Sequence, residues 1–343
     1  MGTAPSQLLA IQESPQAILE VTWAFASTQV VCTALELDLF TCLEDGHSTV
    51  KDVAAETGSS TRGIRILLDA LVGMKFLEKS GECYLPTQPA SRYLSKKSST
   101  YMGGLVLHSR QLQSNWARLT GVVRTGRSPH TVETEADHGE FFAKFVDALH
   151  SLHSPAAAVA ASELWPENGT ARERHVLDVG AGSAVWSLAF AKRDAKAHVT
   201  VADWPSVIER VTRKCVARDH VEDRYEYLAG DFRQGDFGKE KFDVGILGHV
   251  CHSEGAARTQ EMLARLHRAL KPGGVILIAE MMPDNERRTA LYPLLFAVNL
   301  LVNTEEGDVF TFAEYRQWLE EAGFHNVRAM EAPSPSPLIV ASK

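Results

Sequence analysis

His175-Val-Leu-Asp-Val-Gly-Ala-Gly-Ser-Ala-Val-Trp186 decides the architecture of this 343-residue chain. An apolar β-type run ends in Asp178, and Gly180 and Gly182 follow. Then Val185-Trp-Ser-Leu-Ala-Phe-Ala-Lys192 reads as the start of a helix. Strand, tight glycine turn and helix N-terminus together let backbone and helix dipole approach a polar small molecule closely. A dinucleotide site needs a third glycine at position 185, where this chain has Val185, so the pyrophosphate fingerprint fails.

Outward from this turn, apolar runs alternate with helical segments. The strands are expected at Val176–Val179, Val199–Ala202, Tyr225–Leu228, Phe242–Leu247 and Val275–Ala279. This alternation predicts an α/β domain with a mostly parallel sheet. Lys271-Pro-Gly-Gly274 breaks the chain before the fifth strand, and the preceding helix is expected to end before Pro272. Asp203 ends the second strand, 25 positions after Asp178, where a carboxylate can accept both hydroxyls of a ribose. Asp231 closes the third, followed by Phe232, a pairing that suits a purine amino group and base face. Each acid alone reads as a cap or turn residue. Three at the carboxyl ends of successive strands mark the ligand-binding edge of such a sheet.

The N-terminal part reads as a separate unit. Val50–Gly58 is a short helix ended by glycine, and Ser59, Ser60 or Thr61 caps the next. In that second helix Ile64, Leu67, Leu68, Leu71 and Val72 form one apolar face. Lys79-Ser-Gly81 turns into Cys83-Tyr84-Leu85, a short β wing, which completes a winged-helix pattern. A DNA-binding regulator is therefore the rival of another class. Lys51–Lys97 carries eight basic against five acidic residues, only a mild excess for phosphate contact. Ile18–Leu43 is more apolar than one small winged helix needs, and is expected to form a homodimer interface.

With 45% hydrophobic content the chain can bury two cores. A net charge of −8 argues against general binding to nucleic acid or anionic membranes. No uninterrupted apolar run reaches spanning length, about 18 residues, so no membrane helix is expected. The N-terminus lacks the basic start of a secretory signal. Cys32, Cys42, Cys83, Cys215 and Cys251 are odd in number and scattered, as in a cytoplasmic protein with reduced thiols. The most loop-like stretches are Gly126–Gly139 and Pro166–Arg174.

The ordered motifs Val-Leu-Asp-Val-Gly-Ala-Gly, Val-Ala-Asp-Trp-Pro, Ala-Gly-Asp-Phe, His-Val-Cys-His, Leu-Lys-Pro-Gly-Gly and Glu-Tyr-Arg-Gln-Trp-Leu-Glu-Glu-Ala-Gly-Phe carry a resemblance. The chain resembles, over nearly its whole length, the class I S-adenosylmethionine-dependent small-molecule O-methyltransferases. These include plant caffeic acid and isoflavonoid enzymes and bacterial natural-product tailoring enzymes. The resemblance implies a Rossmann-like domain with a seven-stranded, mostly parallel sheet, spanning 106–343. It includes a helical substrate-pocket segment, 106–170. A mostly α winged-helix dimerisation domain would occupy 1–105. It implies S-adenosylmethionine as cofactor, S-adenosylhomocysteine as its product, and no metal. The cofactor set would be Asp178, Gly180, Gly182, Asp203, Trp204, Asp231, Phe232 and Gly248, the last standing where plant relatives carry a lysine near adenine.

His252 matches the family's general base, and Glu280 the first of two acids that flank it. At the second acid position this chain has Val309, so Asp308 or Glu305 is expected to substitute. His249, Trp116, Phe145, Met281, Phe296 and Asn299 fall in segments that line the acceptor pocket in relatives. Because Asn299 is polar in an apolar helix, it is expected to find a partner in substrate or backbone. His249 and His252, with Cys251 between them and Glu254 nearby, make a metal site conceivable, but no fourth ligand has recognisable spacing. A carbon or nitrogen acceptor, or cofactor-assisted cyclisation, would also tolerate these departures.

Overall fold

In the computed structural model of the chain, residues 15–128, 140–165 and 173–343 are described. The expected loops at Gly126–Gly139 and Pro166–Arg174 lie largely outside them. The chain divides into two compact units, Met1–Gln113 and Ser114–Lys343.

The first unit is helical. It runs α1 (Gln16–Glu36), α2 (Leu39–Glu44), α3 (Val50–Glu56) and α4 (Thr61–Gly73), then the antiparallel hairpin β1 (Leu77–Ser80) and β2 (Cys83–Pro86). Helix α5 (Gln88–Leu94) and the start of α6 (Gly103–Trp116) follow. Thr49 and Asp52 form a capping box on α3, and the Ser60 hydroxyl accepts the Gly63 N–H at the start of α4. Ile64, Leu68 and Leu71 bury the apolar face of α4 against Leu39, Phe40, Leu77 and Tyr84. This is the expected helix, turn, helix and wing. The N-terminal half of α1 is different: Ile18, Leu19, Val21, Trp23 and Phe25 are all more than half exposed. The expectation of no spanning-length apolar segment is corrected here. The 21-residue α1 is long and apolar enough to cross a membrane by length and composition. A run scattered with Glu20, Thr22 and Ser27 hid this, because average apolarity rather than an unbroken run sets the criterion.

The second unit holds the sheet. Helices α7 (Leu119–Thr125) and α8 (Glu140–Leu164) precede β3 (Arg174–Val179), α9 (Val185–Arg193) and β4 (Ala197–Asp203). A helical stretch follows, α10 (Pro205–Val207) passing through a π-type turn into α11 (Arg213–Arg218). Then come β5 (Tyr225–Ala229), β6 (Phe242–Gly248), α12 (Cys251–Ala269), β7 (Leu270–Ala279), α13 (Leu291–Asn303), α14 (Phe312–Glu321), β8 (His325–Met330) and β9 (Leu338–Ser342). The sheet order is β5-β4-β3-β6-β7-β9-β8. The first five strands are parallel and β9 alone runs against both its neighbours, β7 and β8, so the sheet is seven-stranded and mostly parallel as expected.

Both sheet faces are covered, so the strands read as continuous apolar runs rather than alternating ones. Val176, Val244, Ile246 and Leu277 enter one core, while Leu177, Val179, Ile276 and Ile278 enter the other. Ala156, Ala157, Ala160 and Ala161 let α8 pack closely on α9. Strand β7 starts earlier than expected. Leu270 already pairs with Phe242, and the ladder resumes at Val275 opposite Val244, so Lys271–Gly274 is a bulge within the strand. All five cysteines are free.

Candidate active site

The carboxyl ends of β3 and β4 build one half of the site. Gly180 and Gly182 take φ of +64° and +55°, and a Cβ on Gly180 would lie 2.4 Å from a Val250 methyl. Only glycine fits that position. Asp203 at the tip of β4 ties the turn down: its carboxylate accepts the N–H of Gly182 at 2.8 Å and of Trp204 at 2.7 Å. Asp178 accepts the Ser187 hydroxyl from α9 at 2.6 Å. Both acids are almost fully buried. Burial pushes the carboxyl of Asp178 up to about 7 and that of Asp203 up to about 6. Neither has a cationic partner among the described residues. Two buried carboxylates without a counter-cation fit a ligand that brings its own ammonium and hydroxyl donors.

Beyond β5, Asp231 is occupied. The guanidinium of Arg233 grips it with Nε–Oδ1 2.8 Å and Nη2–Oδ2 2.9 Å, outweighing burial and holding its carboxyl below the usual range. The Phe232 ring meets Trp204 edge-on at 6.3 Å, and the Arg233 guanidinium lies over Trp204 at 5.1 Å. Gly248, ending β6, faces Trp186: a Cβ there would lie 2.4 Å from the indole. No lysine can replace it while Trp186 stays buried. The Gly248→Ala variant is expected to lose about 1–3 kcal/mol of stability from overpacking, read by urea denaturation.

The other half of the site follows β6 and β7. His252 lies in the first turn of α12, set apart from the rest of that helix by Gly255 at φ +75°. Its Nδ1 lies 2.7 Å from Glu280, which follows the apolar run of β7, and its backbone N–H donates to the same carboxylate at 3.3 Å. Burial pushes the Glu280 carboxyl up, but the neighbouring imidazole overrides this and leaves it below the ordinary value. With Nδ1 engaged, Nε2 is the nitrogen left to take a proton. The imidazole is 15% exposed, and Phe296 from α13 meets it edge-on at 5.0 Å.

The second acid is not brought to His252. Asp308 donates its backbone N–H to the His252 carbonyl at 2.9 Å, while its side chain accepts the Val309 N–H at 2.7 Å. Glu305 reaches Arg258 at 3.6 Å. Val309 itself is buried, so an apolar side chain fills the position. Among the described residues His252 is therefore held by one carboxylate, Glu280.

The remaining expected residues have the following surroundings. Met281 is buried directly after Glu280, and Phe145 packs against the α8–α9 core. Asn299 has side-chain partners. Its carbonyl oxygen accepts Trp116 Nε1 at 3.2 Å and Asn303 Nδ2 at 3.0 Å. No sequence motif marks Trp186 or His153. The His153 ring lies 6.0 Å from Trp186 and 4.2 Å from His249. No spacing rule links these positions, which only the packing of α8 on β6 and α9 brings together.

Two family models match. An O-methyltransferase dimerisation domain covers residues 19–96, and an O-methyltransferase domain covers residues 108–325. This chain belongs to the S-adenosylmethionine-dependent O-methyltransferase family. The enzyme is 32% identical to the tetracenomycin polyketide synthesis 8-O-methyl transferase of Streptomyces glaucescens, with 96% of this chain and 97% of that one covered. It is 27% identical to 3-hydroxy-5-methyl-1-naphthoate 3-O-methyltransferase of Streptomyces sahachiroi, over 94% and 92%. The solved structure of human N-acetylserotonin methyltransferase in complex with S-adenosylmethionine has the same fold: TM-score 0.81, 24% identity, 100% of this chain and 99% of that one covered.

Proposed function

We propose that this methyltransferase moves the methyl group of S-adenosylmethionine to a hydroxyl of a small aromatic acceptor of natural-product type, with His252 as general base. The observation that carries the reading is the His252–Glu280 contact of 2.7 Å beside the aromatic wall of Phe296. Asp178, Asp203 and the Gly180–Gly182 turn would hold the cofactor, with Trp204, Phe232 and the Asp231–Arg233 pair beside the adenosine. When bound, the cofactor supplies a methyl group already activated on a sulfonium. The chain's own work is to hold the acceptor oxygen in line and take its proton at His252 Nε2. Glu280 fixes the ring's tautomer and supports the imidazolium. Trp116, Phe145, Met281, Phe296 and Asn299 form the acceptor wall.

A base held this way suits a hydroxyl acceptor, whose proton it takes as the oxygen attacks. The two Streptomyces relatives are named for methylating oxygens of a polyketide and a naphthoate. A screen of phenolic polyketide, naphthol and hydroxyindole acceptors by mass spectrometry is expected to show a one-methyl increment and formation of S-adenosylhomocysteine. Growth of the increment on amines alone would overturn the oxygen assignment.

The match of residues 19–96 to a dimerisation domain supports a homodimer over a DNA-binding module. The exposed face of α1 is then covered by a second copy rather than by lipid. The double variant Trp23→Ser with Phe25→Ser is expected to shift the protein from dimer to monomer in light scattering; an unchanged mass would remove α1 from the interface. The five free cysteines support a cytoplasmic location.

A further inference from the structure

His249 is not explained by the roles assigned so far. It follows β6 with φ +60°, a left-handed conformation that costs a non-glycine residue on the order of 1 kcal/mol. Its backbone N–H is fixed by the Ala279 carbonyl at 2.8 Å. Both ring nitrogens are buried, and neither has a partner among the described residues. Nδ1 of the adjacent His153 is also buried without a partner among them. A buried polar atom left unpaired costs about 1–3 kcal/mol. Strain and missing hydrogen bonds therefore coincide on one side chain, and its ring lies 6.3 Å from that of His252. One nitrogen each of His249 and His252, with one oxygen of Glu280, lie within 4.8 Å of one another.

A metal ion is not the occupant this arrangement favours. Glu280 and Nδ1 of His252 are spent on each other, so the set would lose its dyad to gain a ligand. A neutral hydrogen-bonding group fits better. Burial, then the neighbouring His153, pushes the His249 imidazole down to about 3. It stays neutral throughout the physiological range, with one N–H donor and one acceptor nitrogen.

We propose that His249 binds a second oxygen of the acceptor, so that the preferred substrates are arenes bearing a hydroxyl or carbonyl oxygen ortho or peri to the methylated hydroxyl. This rests on the methyl-transfer reading above. The reacting hydroxyl takes His252. The neighbouring oxygen takes His249, one nitrogen of which lies within 4.8 Å of one of His252, a spacing that suits oxygens on adjacent rather than opposite positions of a ring system. An acceptor lacking that oxygen leaves His249 unpaired, and sites built to hydrogen-bond a polar group discriminate strongly against its absence.

The test compares 1-naphthol with 1,8-dihydroxynaphthalene. Binding is measured by calorimetry on the protein saturated with S-adenosylhomocysteine in EDTA, and turnover separately with S-adenosylmethionine. The wild type is expected to bind the diol roughly ten- to a hundredfold tighter. His249→Phe is expected to bring the ratio to within about threefold of one. His249→Asn, which tolerates positive φ but is too short to reach, should do the same and serves if the phenylalanine variant does not fold. A wild-type ratio near one, a ratio that survives both variants, or a preference seen only when zinc is added would each overturn the proposal. Selective binding of the diol without methylation of either compound leaves the proposal standing and sinks the methyl-transfer reading instead. Methylation of both without preference does the reverse.

Discussion

Replacing His252 with alanine is expected to lower kcat about a hundred- to ten-thousandfold while leaving the affinity for S-adenosylhomocysteine within about twofold. The size follows from the chemistry of the acceptor. A phenol with a pKa of about 10 is roughly one-thousandth ionised at neutral pH, a penalty of about 4 kcal/mol. His252 removes this penalty by taking the proton as the oxygen attacks, so free phenolate need not form first. The cofactor is held elsewhere, by the tips of β3 and β4, so its binding should not register the change. The deficit should also shrink with more acidic phenols, because these need the base less. Glu280→Gln is expected to fall between wild type and His252→Ala. Its amide can still orient the ring but cannot support a positive charge, and no second acid compensates, since Asp308 is turned to Val309. Full turnover by His252→Ala on the true acceptor would remove His252 as base.

The fold was largely legible because its signals are local. Buried parallel strands read as short apolar runs, and each of the three acids lies within two residues of the end of one of them. Asp178, Asp203 and Asp231 could thus be placed by counting along the chain. The β7 bulge and the antiparallel β8–β9 pair are pairing events between distant segments, and nothing in their own residues announces them. The site was legible where a motif carried it, as at His252 and Glu280. It was hidden where a neighbour decides what a side chain does. At Gly248 the reason for a glycine is visible only in three dimensions, where Trp186 fills the space a side chain would need. Asp231 looks like a bare carboxylate until Arg233, two residues on, closes on it. His249 reads as a generic pocket residue, and its strain and unpaired nitrogens exist only in three dimensions.

Asp203 carries the second large effect, and it is linked to protons. Its carboxyl is raised from 3.8 to about 6, and that of Asp178 to about 7, chiefly by burial. A raised folded-state value favours the protonated acid in the folded protein. The corresponding stability is full below the unfolded value and is lost as pH rises through about 6–7. The cofactor-free enzyme should therefore melt higher at pH 5.5 than at pH 7.5 as far as these two groups are concerned. A ligand that donates hydroxyls and an ammonium to them favours the ionised form, so binding near pH 6 must release protons and affinity must rise with pH. Calorimetry in two buffers of different ionisation enthalpy is expected to show up to about one proton released per cofactor at pH 6. Asp203→Ala should weaken binding roughly 30- to 1,000-fold, the worth of one or two hydrogen bonds to a charged acceptor, and should reduce the proton release. Because Asp203 also secures Gly182 and Trp204, Asp203→Asn separates the two roles. The amide can keep one backbone contact but cannot ionise, so it should abolish this residue's share of the proton release even where some affinity survives. Binding that is independent of pH from 5.5 to 7.5 in the wild type would mean that these carboxylates do not face the cofactor.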